Sequence, residues 1–308
     1  MKPHLRYFAP LLAVALLAAG CGPTAAATGP IHLKDDVGHA ITLKRPAVRI
    51  ISLGPSNTET LLSLGLRKDI VGIDDESVQY VPPPYAKAVK GLTVVGDSYS
   101  GLNVEKITAL HPQLILAIPG VADLKELQAL GIPIATMEPG SLAGIERDIS
   151  FIADAAGVPA QGAKAVAAMK RKVSAVAAAV AKVQGRPSVY VELDPTQYYS
   201  AGPGSFLDAL VKIAGGRNIA DSIAKTPYPQ LSSESIITQS PQVVVLLDTP
   251  AATAATVRSR PGWSGIRAVR DGRIYTNINP DLLSQPAPAI VQGLTLLAQD
   301  LHPGLRIP

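Results

Sequence analysis

Leu102-Asn-Val-Glu105-Lys-Ile107-Thr-Ala-Leu-His-Pro112-Gln113-Leu-Ile-Leu116 lies on Leu231-Ser-Ser-Glu234-Ser-Ile236-Ile-Thr-Gln-Ser-Pro241-Gln242-Val-Val-Val245 without a gap. Leu, Glu, Ile, Pro and Gln coincide, and in both stretches a helical pattern stops at Pro-Gln before an apolar run with strand character. A unit that occurs twice in one chain predicts two related lobes.

Working outward, Val48–Leu53 reads as a strand and Gly54-Pro55 as a turn, after which an apolar-periodic stretch runs to Gly65. Ser56 and Glu59 have capping-box spacing, which predicts that each side chain satisfies a free N–H at the helix start. Short strand-like runs recur at 70–73, 93–95, 114–118 and 132–136, separated by helical patterns at 103–110, 122–130 and 142–156. Alternation resumes from Ser188 to Leu301, the signature of a mainly parallel sheet covered by helices. Between the two halves, Pro159 to Gln184 is rich in Ala, Val and Lys, with Val166, Val173, Val176, Val180 and Val183 at helical spacing and Gly185 and Pro187 as stop signals. At 1.5 Å per residue it would reach roughly 39 Å and act as a rigid connector.

With 308 residues, 47% hydrophobic and 17% charged, the chain has a globular composition, which excludes both a disordered protein and a polytopic membrane protein. The net charge of +4 includes Lys2 and Arg6 at the extreme N-terminus, so it is weak support for a nucleic-acid partner, and none is expected. A basic start, an apolar run from Ala9 to Ala19 and small residues before Cys21 make a secretory signal. Cys21 is the only cysteine and stands where a lipoprotein signal would end, so acylation of Cys21 is expected; the alternative is an unmodified exported chain cut after Ala25-Ala26-Ala27. Thr24 to Pro30 reads as a tether.

No catalytic apparatus is visible. Gly54-Pro55-Ser56 lacks the second Gly of a nucleophile elbow, since Thr58 stands there, and Gly202-Pro203-Gly204 has Leu207 where a dinucleotide fingerprint needs Gly. The histidines at 4, 32, 39, 111 and 302 form no ligand-spaced cluster, so no metal site is expected. Tyrosine is the unusual residue: there are nine, against three Phe and one Trp. Tyr80, Tyr99, Tyr198, Tyr199 and Tyr228 fall in Pro/Gly/Ser-rich stretches read as loops. One such residue is as well explained by surface packing; five together suggest a cleft for a large flat or amphipathic small molecule. Glu105 and Glu234 open helices, where the dipole alone favours a carboxylate. Alternatively, the two lobes present one carboxylate each on a shared face, suited to paired basic residues of a partner.

Taken together, Arg49-Ile-Ile-Ser-Leu-Gly-Pro-Ser-Asn-Thr-Glu59, Val71-Gly-Ile, Gly101-Leu-Asn-Val-Glu105, Pro112-Gln-Leu-Ile-Leu, Pro229-Gln-Leu-Ser-Ser-Glu234 and Gly262-Trp263 with Gly272-Arg-Ile-Tyr275 resemble a known family. It is the class III periplasmic substrate-binding proteins of ABC importers, which carry cobalamin, ferric siderophores or haem. The resemblance covers residues 31–301 and implies an α/β fold of two Rossmann-like lobes joined by a single long backbone helix, with ligand between them. The expected organisation is a signal peptide at 1–20, a lipid-anchor tether and N-terminal strands at 21–45, lobes at 46–157 and 186–308, and the connecting helix at 158–185. The resemblance implies that Glu105 and Glu234 engage arginines of a permease dimer. It implies a monomeric, extracytoplasmic receptor without cofactor or enzymatic activity, whose cargo is a corrinoid or alternatively haem or a ferric siderophore. Thr226-Pro-Tyr-Pro-Gln230 is most similar to the cobalamin-binding members, with Tyr228 and Tyr99 in place of Trp, Ile118 in place of an aromatic and Gln285 in place of Arg; Asp281 agrees. Haem-binding members have an iron-ligating Tyr close to the position of Tyr99. Ligand contacts are therefore expected from Tyr80, Tyr99, Tyr199, Tyr228 and Asp281. An enzyme on the same scaffold is the contrasting reading.

Overall fold

The computed structural model describes residues 29–247 and 252–308; the signal segment, Cys21 and most of the tether lie outside the described residues. The described chain opens with an antiparallel hairpin, β1 (Ile31–Lys34) and β2 (Ala40–Leu43). The first lobe follows as β3 (Ile50–Ser52), α1 (Pro55–Ser63), β4 (Ile70–Ile73), α2 (Asp75–Tyr80), β5 (Gly96–Asp97), β6 (Gly101–Leu102), α3 (Val104–Ala109), β7 (Leu114–Ala117), α4 (Leu124–Ala129), β8 (Ile134–Thr136) and α5 (Leu142–Ala155). Helix α6 (Pro159–Val180) leads to the second lobe. That lobe comprises β9 (Ser188–Glu192), α7 (Phe206–Ile213), β10 (Arg217–Asn218), α8 (Ser233–Gln239), β11 (Val243–Leu246), α9 (Ala254–Arg258), α10 (Arg267–Arg270), β12 (Ile274–Tyr275), α11 (Asp281–Ser284) and α12 (Ile290–Leu301).

Each lobe is built on a four-stranded parallel sheet, β4-β3-β7-β8 in one and β10-β9-β11-β12 in the other. In both, the second strand pairs outside the first and the third and fourth follow on the other side, so the order reverses between β3 and β7 and between β9 and β11. The repeated sequence unit occupies the same place in each: His111 and Ser240 both adopt positive φ, 45° and 42°, just before the Pro-Gln pair. Gln113 then accepts from the N–H of Val48, and Gln242 from that of Ser188, each tying the third strand to the start of the first at 2.8 and 3.1 Å.

Alternation along the strands divides the core. Ile50, Leu114 and Leu116 join Val189, Val191, Val243 and Val245 in one apolar cluster that runs through both lobes by way of α5, α6 and α12. Ile51, Ile115 and Ala117 face a separate cluster under the first lobe's outer helices, and Tyr190, Val244 and Leu246 one under the second's. Helix α6 crosses α5 at close range: a Cβ on Gly162 would fall 2.5 Å from that of Ala153. The helix stops at Val180, short of the expected residue 185, because its last N–H groups close tighter turns, Lys182 to Ala179 and Val183 to Val180, before Gly185 at φ +84°. Residues 93–95 make only an isolated bridge, Ile73 with Val94, rather than a strand.

The expected capping box at Ser56 and Glu59 does not form. Pro55, which has no N–H to satisfy, takes the first helical position behind Gly54, so Ser56 lies inside the helix. Glu59 instead reaches across the lobes and accepts from the Ala289 N–H at the start of α12, at 2.5 Å. Its carboxyl is fully buried with Oε2 unpartnered. Burial pushes it up to about 8, against the lowering effect of the Ala289 bond. Asp148 on α5 is likewise pushed up to about 8, by burial and then by the Asp36 carboxylate.

Both carboxyls hold protons in the folded chain that the unfolded chain releases near its ordinary values. Stability is therefore expected to fall as pH rises from about 4.5 to about 8, by up to about 1.4 kcal/mol per pH unit for each group. Glu59→Gln keeps an acceptor for Ala289 and is expected to flatten part of that slope, gaining stability near pH 8 and matching wild type near pH 5. Denaturant unfolding across the range checks this; identical slopes for variant and wild type would contradict it.

Candidate ligand cleft

In open parallel sheets, ligands bind beyond the carboxyl ends of the strands, where the strand order reverses. In the first lobe that place is formed by the exits of β3 and β7. Gly54 leaves β3 at φ 112°, and any Cβ there would strike Ile118 at 2.6 Å, so the two exits are in contact. Asp74, fully buried at the end of β4, ties three exits together: it accepts from Gly54 N–H at 2.7 Å, Ser77 N–H at 3.1 Å and the Ser98 hydroxyl at 2.7 Å. Glu76 accepts from Ser98 N–H, and Asp97 accepts from the N–H groups of Tyr99 and Ser100 at 2.8 and 2.7 Å. This network holds Tyr99 out with 61% of its surface exposed, its ring 4.0 Å from where a Cβ on Gly120 would stand. Partial burial, then the carboxylates of Glu76, Asp74 and Asp97, raise the Tyr99 phenol above its ordinary value. Tyr80 closes α2 and is also exposed.

In the second lobe two loops zip together. Leu231 N–H donates to Tyr198 O, Ser200 N–H to Pro229 O and Gly202 N–H to Pro227 O, and Tyr199 pairs antiparallel with Gln230. Tyr199 and Tyr228 are thereby brought onto one small ribbon, both exposed. Tyr198, read from sequence as a companion, turns inward instead: it stacks near Trp263 with ring centroids 5.8 Å apart, and the Arg260 guanidinium lies over both rings. Arg260 makes a two-pronged ion pair with the fully buried Glu192 at the end of β9, at 2.5 and 2.8 Å, and Tyr190 donates its hydroxyl to the same carboxylate. Asp281 opens α11, half-buried, its carboxyl raised by burial and bonded to no described side chain. Tyr80 and Tyr99 are thus both exposed on the first lobe, and Tyr199 and Tyr228 share one ribbon of the second.

Sequence reasoning missed Asp74 and the Arg260–Glu192 pair. Asp74-Asp-Glu-Ser77 directly after an apolar run is a readable N-cap signal. The ion pair joins residues far apart in sequence and leaves no local trace. Glu105 and Glu234 occupy matching places: each is exposed one residue inside a helix whose N-cap, Asn103 or Ser232, accepts from the backbone three residues on. Neither forms an ion pair among the described residues.

A family model described as "Periplasmic binding protein" matches residues 50–278. The chain is 30% identical, over 98% of both chains, to an uncharacterized ABC transporter substrate-binding lipoprotein, YvrC, of Bacillus subtilis. It is 32% identical to a cobalamin-binding protein of Halobacterium salinarum over 89% of this chain and 74% of that one. Among solved structures it resembles the periplasmic heme-binding protein RhuT from Roseiflexus in apo form, with a TM-score of 0.71, 27% identity, and 84% and 99% of the two chains covered. A family match over most of the chain, with full-length similarity at this level, settles its membership: the chain belongs to the periplasmic binding protein family, in its two-lobed form with a single connecting helix.

Proposed function

We propose that this chain is the extracytoplasmic receptor of an ABC importer and that its cargo is a corrinoid, held between Tyr80 and Tyr99 on one lobe and Tyr199 and Tyr228 on the other. The observation that carries the choice of cargo is charge. The stretches nearest the strand exits, residues 53–59, 74–80, 97–103, 118–123, 193–204, 226–232 and 276–289, contain no Lys or Arg, Lys225 alone adjoining them at the start of 226–232. They carry Asp74, Asp75, Glu76, Asp97, Asp123, Asp194 and Asp281, while Glu59, buried and protonated, adds no charge. A corrinoid with amide arms needs flat apolar platforms and hydrogen-bonding tips, which exposed tyrosines supply. Anionic cargo such as haem with its propionates, or a ferric catecholate, would meet carboxylates with no compensating cation within those stretches. Haem also needs an axial ligand, and the carboxylates beside Tyr99 oppose the phenolate that would serve.

Haem remains the second reading because Tyr99 is exposed on the loop where haem-binding members have their iron ligand, and RhuT is among the solved relatives. Glu105 and Glu234 dock the receptor on its permease, and Cys21 carries the lipid anchor. Tyr99→Ala and Tyr228→Ala are each expected to weaken cobalamin binding roughly five- to thirtyfold, about 1–2 kcal/mol of lost apolar burial. Calorimetric titration reads this directly; unchanged affinity in both variants would remove the tyrosines from the site.

A further inference from the structure

Helix α6 carries charge of one sign. From Pro159 to Arg186 there are Lys164, Lys170, Arg171, Lys172, Lys182 and Arg186, and no Asp or Glu. Its inner face is consumed by packing, with Gly162, Met169, Val176 and Ala179 buried. At 100° per residue, Lys164 and Arg171 fall within about 20° of one line on the opposite face of α6, and Lys182 follows two residues past the helix end. All three are exposed and form no ion pair among the described residues, whereas Lys170 is engaged by Glu146 at 3.1 Å. Ala167, Ala168 and Ala178 between them, and Ala160 just before, are exposed and small, so a flat partner can approach the backbone closely.

The surface continues past the helix end. A hollow of about 390 Å³ is lined by Lys182, Val183, Pro303, Leu305 and Arg306, and one of about 540 Å³ by Arg186, Arg273 and His302; neither is lined by an Asp or Glu. The described chain enters at β1, which packs on α5, which in turn packs on α6. From Cys21 to Ile31 the backbone reaches at most roughly 35 Å, so an anchor at Cys21 would keep a leaflet within that distance of β1.

We infer that the outer face of α6, with the hollows at its end, is a docking surface for an anionic phospholipid leaflet. The cations attract the lipid phosphates, the alanines let the surface lie close, and the cleft tyrosines take no part. The positional support from the tether rests on the lipid-anchor reading; the charge and packing do not.

The test removes the anchor. The chain from residue 21 onward with Cys21→Ser, which retains every described element, is sedimented with vesicles of phosphatidylglycerol and phosphatidylcholine mixed, and with phosphatidylcholine alone. Binding is expected only to the anionic vesicles, with release at high salt. Each cation at a leaflet is worth roughly a factor of five, so Lys164→Gln/Arg171→Gln/Lys182→Gln is expected to lose about 100-fold. A control, Lys106→Gln/Lys225→Gln/Arg258→Gln, removes equal charge elsewhere and is expected to bind as wild type. Three results would each overturn the inference: equal binding to neutral vesicles, an equal loss in the control, or release by inorganic phosphate at an ionic strength where chloride has no effect, which would mean a discrete phosphate site. Ligand titration of the triple variant is independent of these readouts, so failure of the docking surface and failure of the proposed cargo are distinguishable.

Discussion

Arg260→Ala is expected to cost about 3–5 kcal/mol of stability, because it leaves a fully buried carboxylate without its counter-charge. Glu192 has no exposed surface, and its described side-chain partners are the Arg260 fork and the Tyr190 hydroxyl. Removing the guanidinium also vacates the space over Tyr198 and Trp263. Arg260→Lys keeps the charge but not the planar fork, and is expected to lose an intermediate amount. Replacing Glu192 and Arg260 together by Leu removes the stranded charge and is expected to recover much of the loss, the non-additivity that identifies a buried pair. Denaturant unfolding followed by circular dichroism measures all three; a loss below about 1 kcal/mol for Arg260→Ala would mean that the pair is solvated. The same stack supports the ribbon that carries Tyr199 and Tyr228, so Arg260→Lys is expected to weaken ligand binding as well.

Reversing the two carboxylates proposed to dock on the permease, Glu105→Arg with Glu234→Arg, is expected to abolish uptake in cells while leaving ligand affinity in solution unchanged. Both side chains are exposed, lie at the starts of helices related by the internal repeat, and belong to neither tyrosine group. A carboxylate in the first turn of a helix contributes only about 0.3–1 kcal/mol, so folding stability should move little. Uptake of labelled cobalamin beside titration of the purified variant separates the two roles. Loss of ligand binding, or unfolding, would make these glutamates structural.

The duplicated architecture was legible because it is written in local pattern. Strand β4 has the limits read from sequence, and β3, β7 and β8 differ by a residue or two at their ends, whereas 93–95 forms only an isolated bridge. Side-chain destinations were less legible. Glu59 has the spacing to cap its own helix, yet a proline one turn earlier moves the helix start, and a tertiary partner in the other lobe takes the carboxylate. Tyr198 and Tyr199 are neighbours in a loop, and only the placement of Arg260 and Trp263 decides that one turns inward and the other outward. The basic composition of the connector was visible in sequence. Which of its charges share an outward line depends on which face α5 and α12 bury.

Titration of the wild-type protein with cobalamin and, separately, with haemin tests the corrinoid assignment most directly. The predominantly acidic strand exits and exposed tyrosines predict saturable one-to-one binding of cobalamin, abolished by combining Tyr99→Ala with Tyr228→Ala, and no specific haemin complex. Haemin binding with a tyrosinate-type visible spectrum that disappears in Tyr99→Ala, together with no heat from cobalamin, would contradict it.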